Sequence, residues 1–235
     1  MALEISTVGA RVRWALETTE NERPIGGYSL IPDVSEAPDF PLDVDTLDAS
    51  NISDLITRYI PGRQDPGGAK TLALNHTENA LSVWEQICAA YEAVKTSGLA
   101  VWFEYLYPNA TRAFYWRGIP KPIGNNGISQ NAVSTLNATV IPTGVGEWVT
   151  YPILMSVAIT TLPTKTAYSV GEAFDPAGMV VTADYVFRGE TISIPVTDYT
   201  VSVPVFTTAS AYNERVIFED YGYTETSDPI TITVS

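Results

Sequence analysis

Apolar residues along this chain follow two rhythms. Between Asn75 and Gly98 they recur at spacings of three and four: Ala80, Trp84, Ile87, Cys88, Tyr91 and Val94. That spacing gathers them on one face of an amphipathic helix. Asn75 and Glu78 have the separation of a capping box, with Thr77 as an alternative cap. Lys95 suits the negative end of the helix dipole, and Gly98 suits a left-handed stop. A lone amphipathic helix must bury its apolar stripe against a sheet. The rest of the chain alternates with a period near two, which predicts strands.

In the first part, strands are predicted over Arg11–Leu16, 70–74, Leu99–Tyr107, Ala113–Ile119 and Ala132–Ile141. Leu99–Tyr107 and Ala113–Ile119 flank the turn Pro108-Asn109 and read as an antiparallel hairpin with aromatic cross-strand pairs. Glu17–Gly27 is a polar loop ending in a Gly-Gly pair, and Gly124–Gly127 is a flexible turn. Tyr28 to about Gly68 is rich in prolines and carboxylates with brief apolar clusters. Within it, Asn51–Tyr59 reads either as one helical turn or as an extended loop. A connection of that length inside a compact domain generally has a task, such as reaching a neighbour.

The last third carries the clearest strand–turn–strand writing. Tyr168–Tyr185 reads YSVGEAFDPAGMVVTADY; its alternating end, Met179–Tyr185, meets the turn Arg188-Gly189-Glu190 and a second run from Thr191. Further strands are predicted over Thr191–Val196, Tyr199–Val205, Arg215–Phe218 and Ile230–Val234, with Pro195 and Pro204 at strand ends or edges. Ile153–Thr160 reads as the first strand of this second unit, and Thr161-Leu162-Pro163 as a turn. This segment resembles the bacterial Ig-like domain of the group found on surface proteins and phage virions, over about residues 160–235. The expected organisation is a mainly β body with one flanking helix over 1–150, then an Ig-like β-sandwich over 151–235, with the boundary between about 148 and 163.

Composition narrows the function. The chain has 235 residues, 45% apolar and 11% aromatic, which is globular rather than disordered. It carries 27 acidic and 13 basic groups, a net charge of −14. With 17 acidic against 10 basic groups before Thr150 and 10 against 3 after it, each part carries −7. Such a surface disfavours tight binding to nucleic acid, which relies on Lys and Arg contacts to phosphate. Cys88 is the single cysteine, so no intrachain disulfide forms, and its place in the helical stripe predicts a buried, inert thiol. The first residues do not read as a signal peptide, and no apolar run is long enough to cross a bilayer. The sequons Asn51-Ile52-Ser53, Asn75-His76-Thr77, Asn109-Ala110-Thr111 and Asn137-Ala138-Thr139 are expected to carry no glycan without export.

Candidate chemistry is sparse. His76, the sole histidine, lies beside the helix cap and reads as a satisfied surface group. Phosphate-binding glycine loops and nucleophile motifs are absent from the sequence, and no cofactor is expected. The acidic run Asp33, Glu36, Asp39, Asp43, Asp45 and Asp48 reads first as a solvated or interface-facing segment. Asp43, Asp45 and Asp48 around calcium is the sharper alternative, although the run lacks the glycine and terminal glutamate of a calcium loop. A carboxylate pair for glycoside hydrolysis is the remaining enzymatic option. Trp14, Trp84, Trp102, Trp116 and Trp148 all fall in the first part, as a core or an oligomer interface requires; a carbohydrate-stacking platform is the alternative.

One further resemblance concerns the first part. Leu42–Asp48 (LDVDTLD), followed by Arg58–Gly67 (RYIPGRQDPG), resembles the characteristic stretch of major tail tube proteins of long-tailed phages. Asp45-Thr46-Leu47 and Tyr59-Ile60-Pro61-Gly62 match that pattern, whereas Arg63 stands where such proteins often have a small or apolar residue. The following helix, aromatic hairpin and closing strand occur in the family's order, over roughly residues 5–148. The resemblance implies a structural, non-catalytic virion protein: stacked hexameric rings around a channel, assembled in the host cytoplasm and traversed by phage DNA without tight binding. It implies further contacts with terminator, tail-tip or baseplate proteins. Residues 33–68 would reach between subunits or rings, and the Ig-like unit would project outward with weak contact to host-surface glycans or as decoration. Candidate inter-subunit or lumen-facing residues are Glu17, Glu20, Glu22, Asp33, Asp39, Asp43, Asp45, Arg58, Tyr59 and Arg63. The alternative is a surface or tail-tip adhesion protein that binds glycans.

Overall fold

A computed structural model describes residues 7–40, 44–108, 110–124 and 130–235. The chain divides into two compact units, Met1–Pro24 with Tyr28–Thr150, and Ile25–Gly27 with Tyr151–Ser235.

The first unit is built on β1 (Arg11–Leu16), β2 (Ser29–Leu30), β3 (Val34–Glu36), β4 (Val44–Asp48), β5 (Tyr59–Gln64) and β6 (Lys70–Asn75). Helix α1 (Glu78–Val94) follows, then β7 (Val101–Leu106), β8 (Arg112–Pro120), β9 (Thr135–Pro142) and β10 (Glu147–Thr150). Eight strands form one open, curled sheet in the order β2-β1-β7-β8-β9-β6-β3, with β10 also paired to β8. Strand β8 is long enough to serve three neighbours. It runs along β7, and on its other side Arg112–Tyr115 pair with β10 while Gly118–Pro120 pair with β9. The two edges are the very short strands β2 and β3, which leaves little exposed ladder for unwanted pairing.

Helix α1 covers one face of this sheet, as its stripe requires. Ala80, Trp84 and Ile87 are buried, and they pack with Leu72, Leu74, Val101, Phe103, Trp116, Leu136, Ala138 and Val140. Phe103 and Trp116 face each other in the β7–β8 register with ring centroids 4.6 Å apart. The cap is Thr77, whose hydroxyl accepts from the Ala80 N–H at 3.0 Å. Asn75 is instead the last residue of β6, so the capping-box expectation gives way to the alternative cap. After a 3-10 turn over Lys95–Ser97, Gly98 adopts φ +75, the left-handed stop that a side chain would resist. Cys88 is only half-buried, at the margin of the stripe.

The opposite face of the sheet is buried too, but it holds charge. Period-two alternation puts Arg13 of β1, Trp102 and Glu104 of β7, and Tyr115 and Arg117 of β8 on that side, with Glu17 just past β1. Arg13 pairs with Glu104 directly across the ladder, and Arg117 pairs with Glu17. Four of the five tryptophans are covered or partly covered here and in the core; Trp148, on β10, is half exposed.

The second unit comprises β11 (Ile153–Thr161), β12 (Ala167–Tyr168), β13 (Val180–Phe187), β14 (Glu190–Val196) and β15 (Thr200–Val201). It continues with β16 (Ala211–Glu214), β17 (Val216–Asp220), β18 (Tyr223–Thr226) and β19 (Ile230–Val234). Three small sheets result: β11-β13-β14, β12-β19-β16 and β15-β17-β18. The Arg188-Gly189 turn joins β13 to β14 in the two-residue form that matches strand twist. Pro195 lies in β14, an edge strand that spares its missing N–H. Alternation turns Leu154, Val157, Val181, Ala183 and Tyr185 inward, while Tyr168, Phe174, Phe206, Ile232 and Val234 form a second aromatic-rich cluster. The strand expected over Tyr199–Val205 shrinks to Thr200–Val201, because Glu214 draws the backbone off the ladder: its carboxylate accepts from Val203 N–H at 2.8 Å and from the Ser202 hydroxyl at 2.7 Å.

Candidate functional site

The most exposed apolar surface of the first unit is an arm built from the acidic, proline-rich segment. Of the two options for Asn51–Tyr59 the loop is the one that forms, over residues 51–58, and it is the tip of a ribbon: β4 and β5 pair antiparallel as an isolated two-stranded sheet. The register runs from Val44↔Gln64 to Asp48↔Tyr59 and slips between Val44 and Thr46. At the slip, a Cβ on Gly62 would stand 2.9 Å from the Asp45 carbonyl oxygen, so this close backbone approach demands glycine.

Polar side chains hold the tip. Ala49 N–H donates to the Arg58 carbonyl at 2.8 Å, and Ser50 N–H donates to Asp48 Oδ1 at 2.8 Å. Arg58 N–H donates to the Ser50 hydroxyl at 2.8 Å, and its guanidinium reaches Asp54 Oδ2 at 3.2 Å. The Ser50 bonds hold the Asp48 carboxyl below its ordinary range. No described residue covers the aliphatic side chains of the tip. Ile52 and Leu55 are as exposed as in an extended chain (108% and 101%), Ile56 is 81% exposed, and Leu47, Tyr59 and Ile60 are also exposed.

A second feature lies at the β8–β10 end of the sheet. Tyr107, Ala110, Thr111, Arg112 and Trp148 line an open cleft of about 370 Å³. Trp148 stacks on Tyr107 at 5.8 Å and tilts against Phe114 at 5.3 Å, which fixes its ring while leaving 51% of the residue exposed. Arg112 is exposed at the rim, and its side chain makes no hydrogen bond or ion pair among the described residues.

The candidate residues separate into distinct groups. Glu17 is buried, not on a surface. Its carboxylate accepts from Arg117 Nε at 2.7 Å and Nη2 at 2.8 Å, from Trp102 Nε1 at 2.9 Å and from Ala100 N–H at 2.9 Å. Burial raises its pKa, but those donors more than reverse the effect and hold the carboxyl below its ordinary value. Glu17 is therefore a structural anchor of its own chain. Asp33 is exposed but accepts from the Thr77 hydroxyl at 2.6 Å, tying β3 to the helix cap. Glu20, Glu22 and Asp39 are exposed, as are Asp45, Tyr59 and Arg63 on the arm. Arg58 closes the arm tip. Asp43 lies outside the described residues. The sequence carried no sign of the cleft, because Trp148 of β10 is far along the chain from Tyr107, just past β7, and Arg112 of β8.

Among the described residues no three metal-binding side chains gather, and Asp45 and Asp48 of the considered calcium set stand on the exposed arm. His76 Nδ1 is hydrogen-bonded to Ser134 Oγ at 2.9 Å. Burial and the nearby Glu92 and Glu85 push the Cys88 thiol up to about 11, far from thiolate reactivity. What the surface offers is association: exposed aliphatics, a free cation and an aromatic cleft.

Residues 161–234 match the bacterial Ig-like domain (group 3). The match covers the second unit from the end of β11 to β19, so that unit is an Ig-like domain. No curated protein matches the chain. A mainly β body joined to an Ig-like domain is consistent with a structural or adhesion-type protein.

Proposed function

We propose that the chain is a structural subunit that assembles with copies of itself, and specifically a subunit of a phage tail tube. The observation that carries this reading is the β4–β5 arm. An isolated two-stranded ribbon is marginal in water, and its tip exposes Ile52, Leu55 and Ile56 with no cover from its own chain. Such a ribbon is stabilised by packing on a neighbour. The segments that resemble tail tube proteins, Asp45-Thr46-Leu47 and Tyr59-Ile60-Pro61-Gly62, are the two strands of this same arm.

On this reading, subunits form rings, hexameric by the same resemblance, that stack into a tube assembled in the host cytoplasm and finished by terminator, tail-tip or baseplate proteins. The net charge of −14 favours a wall that does not hold DNA, so a genome passes without sticking. Exposed carboxylates such as Glu20, Glu22, Asp39 and Asp45 are the candidates for that wall. The Ig-like domain serves as decoration or as weak host-surface contact.

The test is particle composition and shape. The chain is expected as an abundant, repeating component of purified virions and as tubes with a central channel in electron micrographs. Its absence from such particles as a repeating protein overturns the proposal. An adhesion role is the second reading, favoured by the Ig-like match and the half-exposed Trp148; saturable glycan-array binding by a chain that never assembles would support it instead.

A further inference from the structure

We infer that the cleft lined by Tyr107, Thr111, Arg112 and Trp148 is the receptor for the arm tip of a second copy of this chain, taking Leu55 and Ile56. This inference rests on the self-assembly reading and assigns the arm its docking site.

Three observations carry it. The tip presents Ile52, Leu55 and Ile56 to solvent, no described residue covers them, and a second molecule would supply their cover. The cleft has the complementary shape and chemistry: about 370 Å³ of open space walled by two aromatic rings held in place by stacking. Charge agrees as well. The Arg112 side chain stands at the rim with no hydrogen bond or ion pair among the described residues, and the arm carries Asp45 and Asp48 on β4, while Asp54 is paired with Arg58. Tip and cleft are different surfaces of one unit. A contact between them is therefore heterologous, and repeated contacts close into a ring or grow into a filament, as a tube subunit requires. A self-complementary pairing of two arms would end at a dimer.

The experiment uses the full chain carrying Cys88→Ser, with one new cysteine per preparation. A Leu55→Cys preparation is mixed with a Thr111→Cys preparation and oxidised, and disulfide-linked dimers are measured. Ser82→Cys, on the exposed face of α1, replaces Thr111→Cys in the control. Linked dimers are expected at least about tenfold above the control, and Arg112→Glu in the Thr111→Cys partner lowers the yield by about tenfold. Equal yields in both mixtures, or none, overturn the inference. If copies still sediment as oligomers in that case, the arm docks elsewhere and the tube reading stands. If the chain is also missing from purified particles, that reading falls separately. Glycan binding that Arg112→Glu abolishes, without cross-linking, makes the cleft a sugar site and also overturns the inference.

Discussion

Glu17 and Glu104 lie on one face of the first sheet, each bound to a guanidinium in a place water does not reach. Taking a carboxylate and an arginine out of water is costly, and attraction offsets that cost only when the remaining hydrogen-bonding capacity is filled. Glu17 meets this condition with four donors, and Arg117 spends its other N–H groups on the Gly98 carbonyl at 2.9 Å and the Thr143 hydroxyl at 3.0 Å. Removing one partner strands the other, so Glu17→Ala is expected to lower unfolding stability by about 3 kcal/mol in urea titrations. The sign with pH follows from the depressed carboxyl. The contribution is full above the ordinary value of 4.5 and fades as pH falls through the lower folded value. Wild type should therefore lose stability on acidification more steeply than Glu17→Gln.

Among elements, α1 and the arm are opposites. The helix buries a continuous stripe within its own unit, and its terminus is satisfied by Thr77. The arm has regular ladder bonds but no apolar face turned to a core. Serine at Ile52, Leu55 and Ile56 together should leave unfolding stability within about 0.5 kcal/mol of wild type, as surface changes usually do. The same triple change should strongly suppress tube formation, read by sedimentation and micrographs. A large stability loss in the isolated chain would mean that the tip packs on its own unit. The helix was legible because a 3.6-residue period needs no partner to be recognised. The arm was legible only as an unusually long segment, since Pro61 masks the strand pattern of Tyr59–Gln64 and Asp45 and Asp48 mask that of Val44–Asp48. The short strands β12, β16 and β18 were missed for a related reason: two to four residues are too few to establish a period.

For the whole molecule, the decisive property is its net charge of −14. At physiological salt the chain is expected to show no measurable retention of duplex DNA in a mobility-shift assay, because few Lys and Arg groups are present to displace counterions. Retention that weakens steeply with added salt would contradict a wall built to let DNA pass. The modular plan adds an Ig-like domain whose fold alone specifies no ligand. Two of its buried polar contacts are internal: the Tyr185 hydroxyl donates to Asp220 at 2.7 Å, and Glu214 Oε1 accepts from the Ser202 hydroxyl and the Val203 N–H.

The sequence by itself determined the class of the protein: two β units, one helix with a known buried face, an Ig-like second unit and an acidic composition. These follow from periodicity and counting, which depend on near neighbours along the chain. Tertiary structure alone decided that Glu17 is an interior anchor, that residues 44–64 form a ribbon with a bare aliphatic tip, and that Tyr107, Arg112 and Trp148 share a cleft. Each of those facts depends on residues far apart in the chain meeting, or failing to meet, across strands, and no local pattern encodes which strands become neighbours.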